Sequence, residues 1–571
     1  MQSWPSLGHR LPRLSLLASR PLTIRPRFQS SQALCSPPPR RSATTSTTGP
    51  TSPMQTSHDA AVAGISSQIA AFNAQGIKYR ISHGSSNSTR TAAKGTHFLD
   101  LSSLSRVLSV DVVGRTALVE PNVPMDRLVE ATLPLGLVPP VVMEFPGITA
   151  GGGYAGTSGE SSSFRHGWFD RTLEWAEIVL GDGRVVRAGP GEYEDLFRGA
   201  AGAVGSLGTT TLVKVRLEKA RRYVEVSYLP VGSMAEAVEV TKRVVKQGEV
   251  EYVDGIVFSK GKGAVITGRL VDEPVEGTRV QKFSGKRDPW FYMHVEGIVD
   301  KARGKTTVET VPFAEYLFRY DRGGFWVAPM AFDYFRVPFN RFTRWFLDDF
   351  LHTRMMYTAL QSGGAGKEII IQDLALPMDT AAEFTDYTHD KFGIYPLWLC
   401  PLKTGPGPSF HPHLKGGRAG TEDNLMMNVG LWGWGPKPPK GVDQKKHYFD
   451  LNRDLEGRLR ELGGMKWLYA KTFYPEDEFW RDHVGGRDWY DALRKKYGAQ
   501  GLPSVYDKTH TNLEAEWNSG SPWKRWLLSI WPLGGIWGLY TAIKSGTYKA
   551  ARASAWKSFG TLDAGASKKN V

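Results

Sequence analysis

The chain has 571 residues, 41% of them hydrophobic, with 18 Trp, 21 Tyr and 26 Phe, enough to bury a large core in two or three domains. Its two cysteines, Cys35 and Cys400, provide neither a disulfide framework nor a cysteine-rich metal site. The net charge of +14 sits mainly in two tails, which carry +7 (residues 1–58) and +5 (residues 511–571); the body is left near +2, which excludes a nucleic-acid partner.

Residues 1–53 are rich in Arg, Ser and Pro and contain no acid. Such a leader reads as a mitochondrial transit peptide, as a disordered tail, or as sequence upstream of a true start at Met54; none of these folds. No apolar run there is long enough to cross a membrane. Two folded regions are expected at 54–220 and 221–512, followed by a basic tail at 513–571. Val62, Ile65, Ile69 and Phe72 form one stripe and predict a helix over 60–75. Next comes a polar run, Ser82, His83, Gly84, Ser85, Ser86, Asn87 and Ser88, flanked by Arg80 and Arg90. Alone it could be an exposed turn; paired with a second small-residue loop it could hold a diphosphate. Short strands are predicted at 98–101, 109–113 and 116–121, and a helix at 125–132.

The chain is organised around residues 144–217. Thr149, Gly151, Gly152, Gly153, Gly156, Thr157, Gly159, Ser161 and Ser162 fall within 14 positions. Each glycine costs about 1 kcal/mol in a helix relative to Ala, so this stretch is predicted to be an open loop. Its bare amides and short hydroxyls would cradle the diphosphate of a cofactor. Gly151, Gly153 and Gly156 spell G-x-G-x-x-G, but the strand before and helix after that a dinucleotide fingerprint needs are missing. A strand at 175–180, the Gly181-Asp182-Gly183 turn and a return strand at 184–187 form a hairpin. A short helix follows at 192–198. A second glycine bend, 202–208, adds Gly205 and Gly208 to the candidate cofactor site, before a strand at 209–217.

This order of elements resembles the FAD-binding domain of the vanillyl-alcohol-oxidase (PCMH-type) superfamily. GESSSFRHGWFD (159–170), DPWFYMHVEG (288–297), YPLWLCP (395–401) and SVYDK (504–508) resemble the Δ24-sterol reductase family, and the likeness runs from Tyr79 to His510. The resemblance implies an α+β protein: a two-subdomain FAD-binding domain, then an α+β substrate (cap) domain. It implies FAD as cofactor, NADPH as electron donor, a sterol substrate and the endoplasmic reticulum membrane. The order His83-Gly84-Ser85, with no cysteine in the glycine loop, predicts a non-covalent flavin.

An unconjugated alkene accepts hydride poorly unless a protein acid protonates it at the same time. Glu160 is a candidate from the glycine loop, although it could instead cap a helix or pair with Arg165. The resembling segments add Tyr395, His166 and Lys471. Two other readings remain: a flavin oxidase acting on an alcohol or hydroxy acid with O2, and a non-catalytic sterol-binding protein tethered to a membrane.

Helices are predicted at 232–246 and 380–392. The aromatics of 325–350 are mixed with Pro, Arg and Asp, and read either as core or as an apolar mouth meeting lipid. Residues 526–543 are uncharged and bracketed by Lys524, Arg525 and Lys544. As a helix they would span about 27 Å against a hydrocarbon core of about 30 Å. Pro532, Gly534, Gly535 and Gly538 weaken a straight span. The tail is therefore expected to be a membrane anchor, interfacial or barely spanning; the competing reading is a tail that packs on the body. Oligomeric state is left open.

Overall fold

The computed structural model describes residues 53–82, 97–156, 159–363, 368–405, 407–414, 424–482, 485–518 and 521–561. The first helix, Pro53–Ala74, lays Val62, Ile65 and Ile69 on the core as its stripe predicts. His58, on the same helix, is buried between Glu120 (2.9 Å) and Glu177 (3.3 Å). Burial alone would discharge the imidazole, but the two carboxylates push its pKa up to about 9.

Strand β1 (Tyr79–Ser82) pairs in parallel with β2 (His97–Asp100). β3 (Val107–Asp111), β4 (Thr116–Val119), β6 (Leu173–Val179), β7 (Val185–Ala188) and β8 (Thr209–Arg216) form a sheet in the order β3-β4-β8-β6-β7. β5 (Leu137–Val138) and β9 (Glu218–Lys219) make a separate ribbon. All pairings in the five-stranded sheet are antiparallel, so the α+β expectation holds and a doubly wound sheet is absent there. Gly183, at φ +90°, makes the β6–β7 hairpin.

The glycine stretch departs from expectation. Ala150–Ala155 is a short helix, with the Thr149 hydroxyl accepting from the Gly152 amide at its start. The intrinsic cost of glycine is outweighed by close packing that other residues would prevent. A Cβ on Gly151 would lie 2.7 Å from Pro121 Cβ, and one on Gly153 would lie 2.5 Å from Met143 Cε.

The second half holds an eight-stranded sheet of β10 (Tyr223–Val231), β11 (Tyr252–Ser259), β12 (Lys262–Val271), β13 (Thr307–Pro312), β14 (Ile369–Pro377), β15 (Leu397–Lys403), β16 (Leu425–Trp434) and β17 (Met465–Lys466), in the order β13-β10-β12-β11-β15-β16-β14-β17. Strand alternation gives the sheet two uses. Val253, Leu374, Leu399, Val429 and Leu431 share a core with helices Met234–Gln247, Ala381–Lys391 and Gln444–Glu461. Their neighbours Asp254, Asp373, Trp398, Asn428 and Trp432 occupy the opposite face. A one-residue slip would exchange the two sets, so burial fixes the register.

The tail forms helices Pro522–Ser529 and Leu533–Ser545, broken at Pro532. Gly534, Gly538 and Ala542 are its buried stripe, and the two glycines meet helix Thr353–Gly363 backbone to backbone. The tail thus packs on the body, and no described helix is long and apolar enough to cross a membrane.

Candidate active site

A cavity of about 350 Å³ lies where the glycine helix faces the eight-stranded sheet. One wall is built from Gly147, Gly151, Gly152, Gly156, Gly159 and Gly205. The amides expected to grip phosphate are already occupied. Gly151 N donates to Pro121 O (2.8 Å), Gly152 N to Thr149 Oγ1 (3.1 Å), Gly153 N to Thr149 O (2.8 Å) and Gly156 N to Gly152 O (2.9 Å). These glycines therefore offer a wall without side chains, against which a flat ring can lie.

Two cations stand at one end of the cavity. Lys508 Nζ donates to the carbonyls of Gly205 (2.8 Å) and Val204 (3.2 Å), and Arg80 Nη2 reaches the carbonyl of Lys508 (3.5 Å). The other end is aromatic: Phe325 lies 4.5 Å from Trp432 and 5.3 Å from Trp398, ring centre to ring centre. Phe325 sits at φ +56°, a strained backbone for a bulky residue, and its ring fills the wall as a result.

Three buried carboxyls line this space, Glu144, Glu160 and Asp373, and a fourth, Asp254, accepts from the lining residue Trp398. A single buried guanidinium serves two of them. Arg319 Nη2 donates to Asp254 (2.8 Å) and Glu144 (3.3 Å) but makes no contact with Glu160 among the described residues. Three carboxylates around one cation would leave two uncompensated charges out of water, so at least one stays protonated. Glu160 is that one: burial first, then the charge of Glu144, raise its pKa well above the usual carboxylate range. Asp373 accepts from Asn428 Nδ2 (2.9 Å) and from the Tyr469 hydroxyl, and burial pushes its pKa up to about 6. It faces Gly430 across the sheet, where a missing Cβ lets the Trp432 ring fold over the pair.

A family model described as an FAD binding domain matches residues 60–189. The chain is 30% identical over 428 residues to a Delta(24)-sterol reductase of Macaca fascicularis, covering 73% of this chain and 78% of that one. The mouse Delta(24)-sterol reductase is 29% identical over 427 residues, with the same coverage. That of Arabidopsis thaliana is 29% identical over 456 residues, covering 74% and 78%. The chain belongs to the Δ24-sterol reductase family. It is an FAD-dependent oxidoreductase.

The cavity suits the cofactor of this family. Arg80 and Lys508 would hold the diphosphate, and the Cβ-free wall facing the aromatic cage would take the flavin ring. Thr149, Gly151, Gly152, Gly156, Glu160 and Gly205 line the cavity. Gly153, Ser161, Ser162 and Gly208 do not. Ser161 instead donates its amide to Glu144 (3.4 Å), and a Cβ on Gly208 would strike Ile178. Ser82 ends β1 beside Ile81, which does line the space. His83, Gly84, Ser85, Ser86, Asn87, Ser88 and Thr157 lie outside the described residues.

Of the proposed acids, Glu160 alone lines the cavity. It does not pair with Arg165, which pairs with Glu251 (3.6 Å). His166 faces Glu218 (3.6 Å), the Tyr395 hydroxyl bonds His389 (3.3 Å), and Lys471 lies over the Tyr448 ring. Sequence reasoning missed Arg319, Asp373, Asn428, Tyr469 and Lys508. Two signals were present: Lys508 closes SVYDK, and Asp373 is a lone acid in the apolar strand IIIQDLALP. Such an acid is seldom buried without a partner or a task.

Proposed function

We propose that the chain reduces the isolated side-chain double bond of a sterol, with NADPH providing the electrons through bound FAD. The observation that carries this reading is Glu160: a neutral, buried acid on the cavity wall between the bare glycine surface and the aromatic cage. The names of the relatives support the substrate, and the apolar cage of Phe325, Trp398 and Trp432 suits a hydrocarbon side chain. Reduced FAD supplies the hydride when bound. The protein's part is the proton. As hydride adds to one alkene carbon, the Glu160 carboxyl delivers H⁺ to the other, so no cation persists. Glu160 is left as a carboxylate beside Glu144, an arrangement that drives its reprotonation from solvent. Per turnover, one hydride from NADPH and one proton saturate one C=C bond.

Glu160→Gln should keep bound flavin and lose alkene reduction by about 10²–10⁴-fold. Unchanged turnover would remove Glu160 from the mechanism. Anaerobic mixing with NADPH separates this reading from a flavin oxidase: rapid bleaching supports the reductase, and bleaching by an alcohol or hydroxy acid supports the oxidase. Flavin-free protein that still binds sterol would support the non-catalytic reading. The flavin is inferred to be non-covalent, so acid precipitation should release all yellow colour from the polypeptide. The endoplasmic reticulum is the inferred compartment; fractionation of tagged protein tests it, and enrichment in mitochondria would favour the leader as a transit peptide.

A further inference from the structure

Helix Leu533–Ser545 is apolar on both sides, yet only one side is covered. Gly534, Gly538 and Ala542 are buried, the two glycines against helix Thr353–Gly363, while Ile536, Trp537, Tyr540 and Ile543 stay exposed. Before it, Trp523 and Trp526 are 68% and 67% exposed. A second group lies on helix Arg341–Phe346, where Phe342 and Phe346 are 66% and 67% exposed. Soluble surfaces scatter single apolar residues; they do not gather large aromatics on adjoining helices.

The two groups belong to one side of the molecule. Arg336, shortly before helix Arg341–Phe346, stacks its guanidinium on Trp531 (4.4 Å), and Trp531 Nε1 donates to Tyr334 O (2.7 Å). Just after that helix, Asp349 pairs with Arg552 of the tail. The tail therefore grips both flanks of helix Arg341–Phe346. The charge is one-sided as well. From Trp517 to Leu562 the sequence has six Lys or Arg and no acid, and Arg341 is exposed on the other group. Asp333 and Asp349 are the nearby acids, the latter already paired with Arg552 and Lys286.

Trp and Tyr beside Lys and Arg suit the headgroup layer of a membrane, where rings sit among the glycerol esters and cations meet lipid phosphates. We propose that this surface seats the protein on an anionic phospholipid bilayer without crossing it. The geometry ties the surface to the cavity. Tyr357 lines the cavity from helix Thr353–Gly363, and Ala359 and Gly363 of the same helix carry the tail. The tail helix and helix Thr353–Gly363, two helix thicknesses or about 20 Å, separate bilayer from cavity. The surface stands independently of which lipid is reduced.

The test is flotation of the full-length protein with phosphatidylcholine vesicles, with and without phosphatidylserine. Wild type should float with the anionic vesicles, less with the neutral ones, and less again at high salt. Phe342→Ser, Phe346→Ser and Trp526→Ser, all at exposed positions, should each weaken partitioning roughly tenfold. The triple variant should keep its flavin absorbance, melting temperature and turnover in detergent. Turnover lost in both proteins would count against the reaction and leave the surface intact. The proposal is overturned if neither protein floats, if both float equally, or if the substitutions instead dissolve a dimer, which would make a second copy the occupant.

Discussion

Arg319 Nη2 lies 2.8 Å from Asp254 Oδ2, and both side chains are withdrawn from solvent. Asp254 also accepts from Tyr320 (2.7 Å) and Trp398 (3.3 Å), so the pair is anchored to the aromatic cage. Removing the cation by Arg319→Met leaves buried carboxylates without a counter-charge and should cost about 3–5 kcal/mol. Adding Asp254→Asn should restore part of that loss. Denaturant unfolding of both variants checks it; equal stability of the single and double mutants would show the pair is not coupled.

Lys508 and Gly205 join segments 303 positions apart. If the ammonium also faces a diphosphate, Lys508→Met should weaken FAD binding about tenfold or more, since hydrogen bonds to charged groups contribute about 1.5–3 kcal/mol. Lys496→Met, at an exposed pair with Asp195, should change nothing. The ratio of flavin to protein absorbance after dialysis reads the effect.

Asp373 makes stability depend on pH in a stated direction. Its folded pKa, about 6, lies above the unfolded value, so the folded state binds the proton more tightly. Its contribution is most favourable below the unfolded pKa and is lost as pH rises through about 6. Relative to Asp373→Asn, wild type should lose on the order of 3 kcal/mol between pH 4 and pH 7. Thermal melts of both proteins across that range measure it; parallel curves would show that the carboxyl is not held neutral.

Gly538 allows the tail to seat. A Cβ there would lie 2.3 Å from the Ala359 carbonyl, so Gly538→Leu must force the helices apart. A destabilisation of about 1–3 kcal/mol is expected, concentrated in the tail. Limited proteolysis should cut the variant near residues 513–521 while its flavin content stays normal. Resistance equal to that of wild type would show that the packing tolerates the side chain.

The elements with a local signature were legible. The stripe of Val62, Ile65 and Ile69, the Gly181–Gly183 turn and the helix at 125–132 lie where periodicity and turn chemistry place them. Glu160 was found because it sits in a glycine-rich segment beside short hydroxyls. The helix at 150–155 was not legible, because its stability comes from Pro121, Met143 and Phe169 pressing on positions without a Cβ. The Asp373–Asn428 contact joins strands 55 positions apart, and the Arg319–Glu144 contact spans 175. No spacing rule reports such pairs; only the sheet register and the way the two halves face each other create them.

Arg80 and Lys508 meet at one end of the cavity from opposite ends of the folded chain. A ribosome must release more than five hundred residues before that basic gate exists. If these two cations hold the diphosphate, loading of the cofactor is a late event in the life of each molecule.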